Sequence, residues 1–133
     1  MDAATSGHAA ALWAGLHIVL LLVLSILVVR QRQKHKVNLG DGGVPELAQA
    51  IRAFGNATEY VPAAMVGIAV LALVQAPPLA IHVAGLVLFV GRVTHAIGLS
   101  ASGGTSFPRA IGIVLTWVAY VFLGVALLFY ALP

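Results

Sequence analysis

Four apolar runs, each about as long as a helix needs to be to cross the hydrocarbon core, dictate what this chain can become. The first covers Ala9 to Val29. The second helix opens at Pro45, is mixed in its first half, and turns apolar from Val61 to Val74. The third run covers Leu79 to Leu99, and the fourth runs from Pro108 to Leu132. Hydrophobic residues make up 61% of the 133 and charged residues only 8%, against about a quarter charged in an ordinary soluble domain. There is no polar coat for a water-soluble fold. The expectation is an all-α membrane protein, a four-transmembrane-helix bundle forming one domain over residues 1–133, with helices at 9–29, 45–74, 79–99 and 108–132.

Punctuation between the runs supports these boundaries. The basic segment Arg30-Gln31-Arg32-Gln33-Lys34-His35-Lys36 follows the first run at once. No basic n-region precedes that run, so it reads as a first membrane helix and not as a signal peptide. Gly40, Asp41, Gly42 and Gly43 mark a loop, and Pro45 suits the first turn of a helix. Gln75-Ala76-Pro77-Pro78 is a tight turn, which makes helices two and three antiparallel neighbours. Residues 100–107 form the last loop, and Trp117, Tyr120, Phe122, Phe129 and Tyr130 lie along helix four, those near its ends suited to the membrane interfaces.

Arg30, Arg32, Lys34 and Lys36 sit in loop one and Arg109 at the end of loop three, while the N-terminus, loop two and the C-terminus hold no Lys or Arg. The positive-inside rule then puts loops one and three in the cytoplasm and both termini on the other side. A net charge of +3 concentrated in this way sets topology and anionic-lipid contact, not nucleic-acid binding. The chain has no cysteine, so it has no disulfide framework and no Cys-ligated metal, and any thiol chemistry must use a thiol carried by a ligand.

Within the spans, strongly polar groups are few: Arg52, Asn56, Glu59 and Tyr60 on helix two, Arg92 and His95 on helix three. Arg52, Asn56 and Glu59 follow i, i+4, i+7 spacing and share one face; Arg92 and His95 share another. Such groups cost several kcal/mol in lipid, so they must turn into the bundle and find partners. Antiparallel packing brings both clusters to one level, where Glu59 and Arg92 could pair. Arg30 and Arg109 end and open their helices at the same rim. Cations outnumber the carboxylate there, a setting for an anionic, peptide-like zwitterion; a lipid phosphate fits nearly as well.

These residues also carry a family likeness. Arg52-Ala53-Phe54-Gly55-Asn56-Ala57-Thr58-Glu59-Tyr60-Val61-Pro62 resembles the helix-two signature of MAPEG proteins, the membrane-associated proteins of eicosanoid and glutathione metabolism. Gly91-Arg92-Val93-Thr94-His95-Ala96 resembles the family's helix-three motif, and Arg109 matches the basic residue that opens helix four. The resemblance covers nearly the whole chain and points to a bacterial-type member. It implies a homotrimer, multi-pass in the inner membrane if bacterial, with glutathione as co-substrate between neighbouring subunits. It implies that Arg52, Asn56, Glu59, Tyr60, His95 and, by the loosest match, Arg30 bind glutathione. By the same likeness Arg92 pairs with Glu59, and Arg109 stabilises the thiolate as the catalytic residue.

The expected function is a glutathione-dependent membrane transferase or peroxidase acting on a small apolar electrophile from the lipid. The rival is a non-catalytic lipid- or glutathione-binding membrane protein. Ile97, Gly98 and Leu99 stand where many members carry a glutathione-contacting Tyr, and Ala110 follows Arg109 where some carry Ser. Other readings are weaker. No paired His or carboxylate spacing suits a metal. A proton path needs polar stations on both sides, and the outer halves of helices two and three are dry. His17 and His82 read as packing or interfacial residues.

Overall fold

The computed structural model describes residues 3–132, with side chains from residue 5. Four helices make up nearly all of it: α1 (Ala3–His35), α2 (Pro45–Leu73), α3 (Pro78–Ala101) and α4 (Phe107–Ala131). All four are long and apolar enough to cross a membrane. Pro occupies the first turn of α2, α3 and α4, where its missing N–H costs nothing.

The bounds of α2, α3 and α4 lie within two residues of those read from the sequence. α1 is longer at both ends, Ala3–His35 against 9–29. Hydropathy marks where lipid ends, not where a helix ends. Arg, Gln and Lys are good helix formers, so the basic run continues α1 as a cationic extension. It stops at Lys36, whose φ of 54° is left-handed, where the Val37 N–H donates to the Arg32 carbonyl. Arg32 then donates to Gly40 O at 2.8 Å, folding the loop back on the helix end. Gly40, Gly42 and Gly43 all have positive φ in that loop, which glycine adopts without steric cost.

α2 closes on a Schellman motif. The Ala76 N–H donates to Leu71 O and the Gln75 N–H to Ala72 O, with Gln75 left-handed at φ 57°. Ser6 of α1 donates to the Ala76 carbonyl at 2.7 Å, tying the turn to the first helix. Gln75→Gly relieves about 1–2 kcal/mol of left-handed strain and gives back about 0.5–1 in unfolded-chain entropy. The expected result is a gain of about 0.5 kcal/mol in a detergent melt, and a loss for Gln75→Val; equal melts would mean that the turn carries no strain.

α2 and α3 lie between α1 and α4, whose backbones do not approach each other among the described residues. α3 and α4 pack most closely, and glycines permit it. A Cβ on Gly91 would stand 3.0 Å from the Gly112 carbonyl oxygen, and one on Gly98 would press on the Arg109 backbone. Small residues let membrane helices approach in this way, since lipid gives apolar side chains no reason to segregate. The ring of Trp13 on α1 lies over Gly85 of α3.

The apolar core has two parts. One surrounds the α2–α3 turn and includes Trp13, Ile68, Leu71, Ile81 and Leu88. The other, near the opposite end, joins Leu24, Ala53, Ala57, Ala96 and Leu99. Between them lie His17 on α1 and Arg92 and His95 on α3, and Asn56 of α2, beside Ala53 and Ala57 in the second part, completes a polar layer with them; all four are buried.

Candidate functional site

The centre of the polar layer is Arg92, which is 1% exposed. Its guanidinium donates to Asn56 Oδ1 at 2.8 Å and lies 5.2 Å from the centroid of the Tyr60 ring. A buried cation is thus held by one amide oxygen and one aromatic face. Tyr60 is held by a second aromatic as well. Tyr120 of α4 meets its ring edge-on at 5.7 Å, and the Tyr120 hydroxyl donates to the Tyr60 carbonyl. This clamp sits two residues before Pro62, inside α2, whose ring deprives the Thr58 carbonyl of its helical donor.

The expected Glu59–Arg92 pair does not form within the subunit. Glu59 instead pairs with Arg52 at 2.9 Å, and both side chains are about half exposed, 52% and 55%. The reason is angular. At about 100° per residue, Glu59 lies about 20° to one side of Arg52 and Asn56 about 40° to the other. That difference of about 60° turns Asn56 into the bundle and leaves Glu59 on the outer edge of α2.

Next to this layer, at the end of the bundle where α2 and α4 begin and α3 ends, lies a cleft of about 380 Å³. That volume lies in the range of ligand sites, about 300–1,000 Å³. Arg52, Asn56 and Tyr60 of α2, His95 of α3 and Arg109 of α4 all line it. Five predicted site residues from three helices therefore meet at one cavity, and Glu59 holds Arg52 at its edge through two hydrogen bonds of 2.9 and 3.3 Å. Arg30 is not among them. It lines a different cavity with Gln31 and Lys34 on α1.

His95 and Arg109 are locked together. His95 Nδ1 donates to the Arg109 carbonyl at 2.8 Å, which leaves Nε2 as the acceptor of the neutral ring. A Cβ on Gly112 would strike the His95 backbone, so this hydrogen bond depends on the glycine contact. The Arg109 guanidinium donates to Gly104 O at 3.2 Å and makes no ion pair among the described residues. It stands in the first turn of α4, which carries no acidic residue and no side-chain cap. Ser106, at the N-cap, sends its hydroxyl to Gly98 O. Arg109 and the uncapped helix start both present positive potential, a setting for an anion.

Sequence reasoning missed the rest of the wall. Thr105 and Ser106 supply hydroxyls, and Leu99, Ala110 and Ile113 supply an apolar side. The turn after His95 offers no hydroxyl of its own: Ile97 points outward, and Gly98 packs against Arg109. Tyr120 was legible only as one of several helix-four aromatics. Nothing in the sequence tied it to Tyr60, 60 residues away. His17 is fully buried, donating to Trp13 O at 2.7 Å, and Trp13 Nε1 donates to His82, so both histidines do serve packing. No group of three metal-binding side chains gathers among the described residues.

Fold and cleft together define an integral, multi-pass membrane protein with a cation-lined site at one end of a four-helix bundle. The chain belongs to the MAPEG family, whose model matches residues 10–129. Over 120 residues it is 38% identical to the inner membrane protein YecN of Escherichia coli strain K12, covering 90% of either chain. The same figures hold for YecN of Escherichia coli O6:H1 strain CFT073.

Proposed function

We propose that this protein binds glutathione in the cleft and presents its thiolate to apolar electrophiles from the membrane, as a transferase or peroxidase. The observation that carries this reading is the meeting of Arg52, Asn56, Tyr60, His95 and Arg109 at one cavity. Arg52, Asn56 and Glu59 offer donors and a carboxylate that match a zwitterionic peptide. The free cation of Arg109, at the start of α4, favours a thiolate over a thiol. Such a preorganised charge acts on the sulfur anion before attack, and holding the peptide body lowers the entropic barrier. As a transferase, the thiolate forms a bond to the electrophilic carbon and the leaving group departs with the electron pair; as a peroxidase, it attacks the outer oxygen of a hydroperoxide, the alcohol departs, and a second glutathione converts the resulting sulfenic acid to the disulfide and water. Leu99 and Ile113 give the second substrate an apolar approach.

The same reading includes a homotrimer in the inner membrane, with the cleft end cytoplasmic and both termini outside. Its support is the exposed Arg52–Glu59 pair and the exposed Thr58 on the outer face of α2. Lipid would not tolerate that face, and a second copy of the chain would cover it.

Calorimetry on the detergent-purified protein tests the binding step. Glutathione should bind at millimolar concentration or below, and Glu59→Gln should weaken binding by releasing Arg52. No heat at millimolar glutathione would overturn the proposal. Turnover of an activated aryl halide tests the chemistry. Arg109→Ala should lower it by about 10²–10³, the usual cost of losing one charge-stabilising group, while the oligomer survives. The missing hydroxyl after His95 favours one second reading, a non-catalytic binder; glutathione binding without any turnover would select it.

A further inference from the structure

A second site lies on the opposite side of α3 from the cleft. An apolar groove of about 480 Å³ runs between α1 and α3, lined by Leu20, Val23, Leu24 and Leu27 facing Val93 and Ile97. At Leu27 it meets a second cavity lined by Arg30, Gln31 and Lys34. Leu20, Leu24, Leu27, Gln31 and Lys34 are spaced by three or four residues, so one stripe of α1 forms both walls. Along that stripe the chemistry changes once, from purely aliphatic to cationic.

The dimensions match one leaflet of a bilayer. Leu20 to Lys34 is a rise of about 21 Å, and half a bilayer with its headgroups is about 20–22 Å. The rim offers two cations and no carboxylate. A phosphate satisfies Arg30 and Lys34 together.

From this we infer that the α1–α3 groove is a binding site for an anionic phospholipid, with one acyl chain between the helices and its phosphodiester on Arg30 and Lys34. The site does not depend on the glutathione reading. It takes Arg30 for the lipid, and it makes the cationic extension of α1 the headgroup clamp.

Native mass spectrometry of the full-length protein, released from vesicles of equal phosphatidylglycerol and phosphatidylcholine, tests this. The wild type should retain phosphatidylglycerol preferentially, and Lys34→Gln or Arg30→Gln should each lower retention about fivefold, the usual effect of one cation at a lipid surface. Lys36→Gln removes the same charge but lines another cavity with Val29 and Arg32, so it should leave retention unchanged. Val23→Trp should fill the exposed side of the groove and release the lipid without touching any charge. Equal retention of both lipids, an equal loss from Lys36→Gln, or full retention by Val23→Trp would each overturn the site.

Discussion

Gly112→Val should disrupt the cleft and destabilise the protein together. A side chain at residue 112 has nowhere to go: its Cβ would fall 2.4 Å from the His95 nitrogen and 2.6 Å from the Gly91 carbonyl oxygen, well inside van der Waals contact. These are main-chain atoms, which cannot rotate aside, so α3 and α4 must separate. Overpacking of this kind costs about 1–3 kcal/mol, and more where backbone is the obstacle. Separation also breaks the His95–Arg109 hydrogen bond and withdraws two cleft residues from each other. The expected result is a melting temperature in detergent lower by roughly 10 °C or more, with loss of glutathione binding in whatever folded protein remains. Gly124 of the same helix provides the contrast, since a Cβ there meets nothing within 4 Å. Gly124→Ala should gain about 0.5–1 kcal/mol from reduced backbone entropy. Equal effects of the two substitutions would mean that the α3–α4 approach is not tight.

The contrast also marks what can be read from a sequence. Both residues are glycines in an apolar run, and only the register of α4 on α3 separates them. The helices themselves were legible because lipid imposes a minimum apolar length and because Pro45 and Pro108 signal helix starts. The ends of α1 were not, because the polar residues at 30–35 satisfy the helix as well as they end the lipid span. The cleft was legible in part. Asn56, Arg92 and His95 had to face inward, since lipid would reject them. Whether Glu59 faced in with them depended on a rotation of about 60° within one stripe. Seven-residue spacing groups residues too generously to settle that. Pairings across helices, such as Tyr120 with Tyr60 or His95 with Arg109, follow from the order of helices in space, which no local pattern records.

Asn56→Leu should cost about 3 kcal/mol, although leucine keeps the branched skeleton of asparagine. The substitution takes away the side-chain acceptor that Arg92 uses, leaving a weaker contact to the Asn56 carbonyl at 3.5 Å and the Tyr60 ring. Arg92 Nε is already without a partner. Removing one member of a buried charged pair typically costs 3–5 kcal/mol because the remaining charge stays buried, and a hydrogen bond to a charged group is worth about 1.5–3. The cost here falls where those ranges meet. If the stranded charge is the cause, deleting it should restore stability. Arg92→Met in the Asn56→Leu background should recover about 2 kcal/mol or more, since a well-packed apolar pair often equals a buried polar one. Thermal melts of the four proteins in the cycle measure this coupling directly. A double variant no more stable than Asn56→Leu alone would locate the cost in Asn56 packing instead. The same double variant separates stability from function: it keeps the helices together but removes Asn56 from the cleft wall, so it should melt near the wild type and still bind glutathione weakly. A well-folded double variant with full affinity would show that Asn56 serves the bundle and not the ligand.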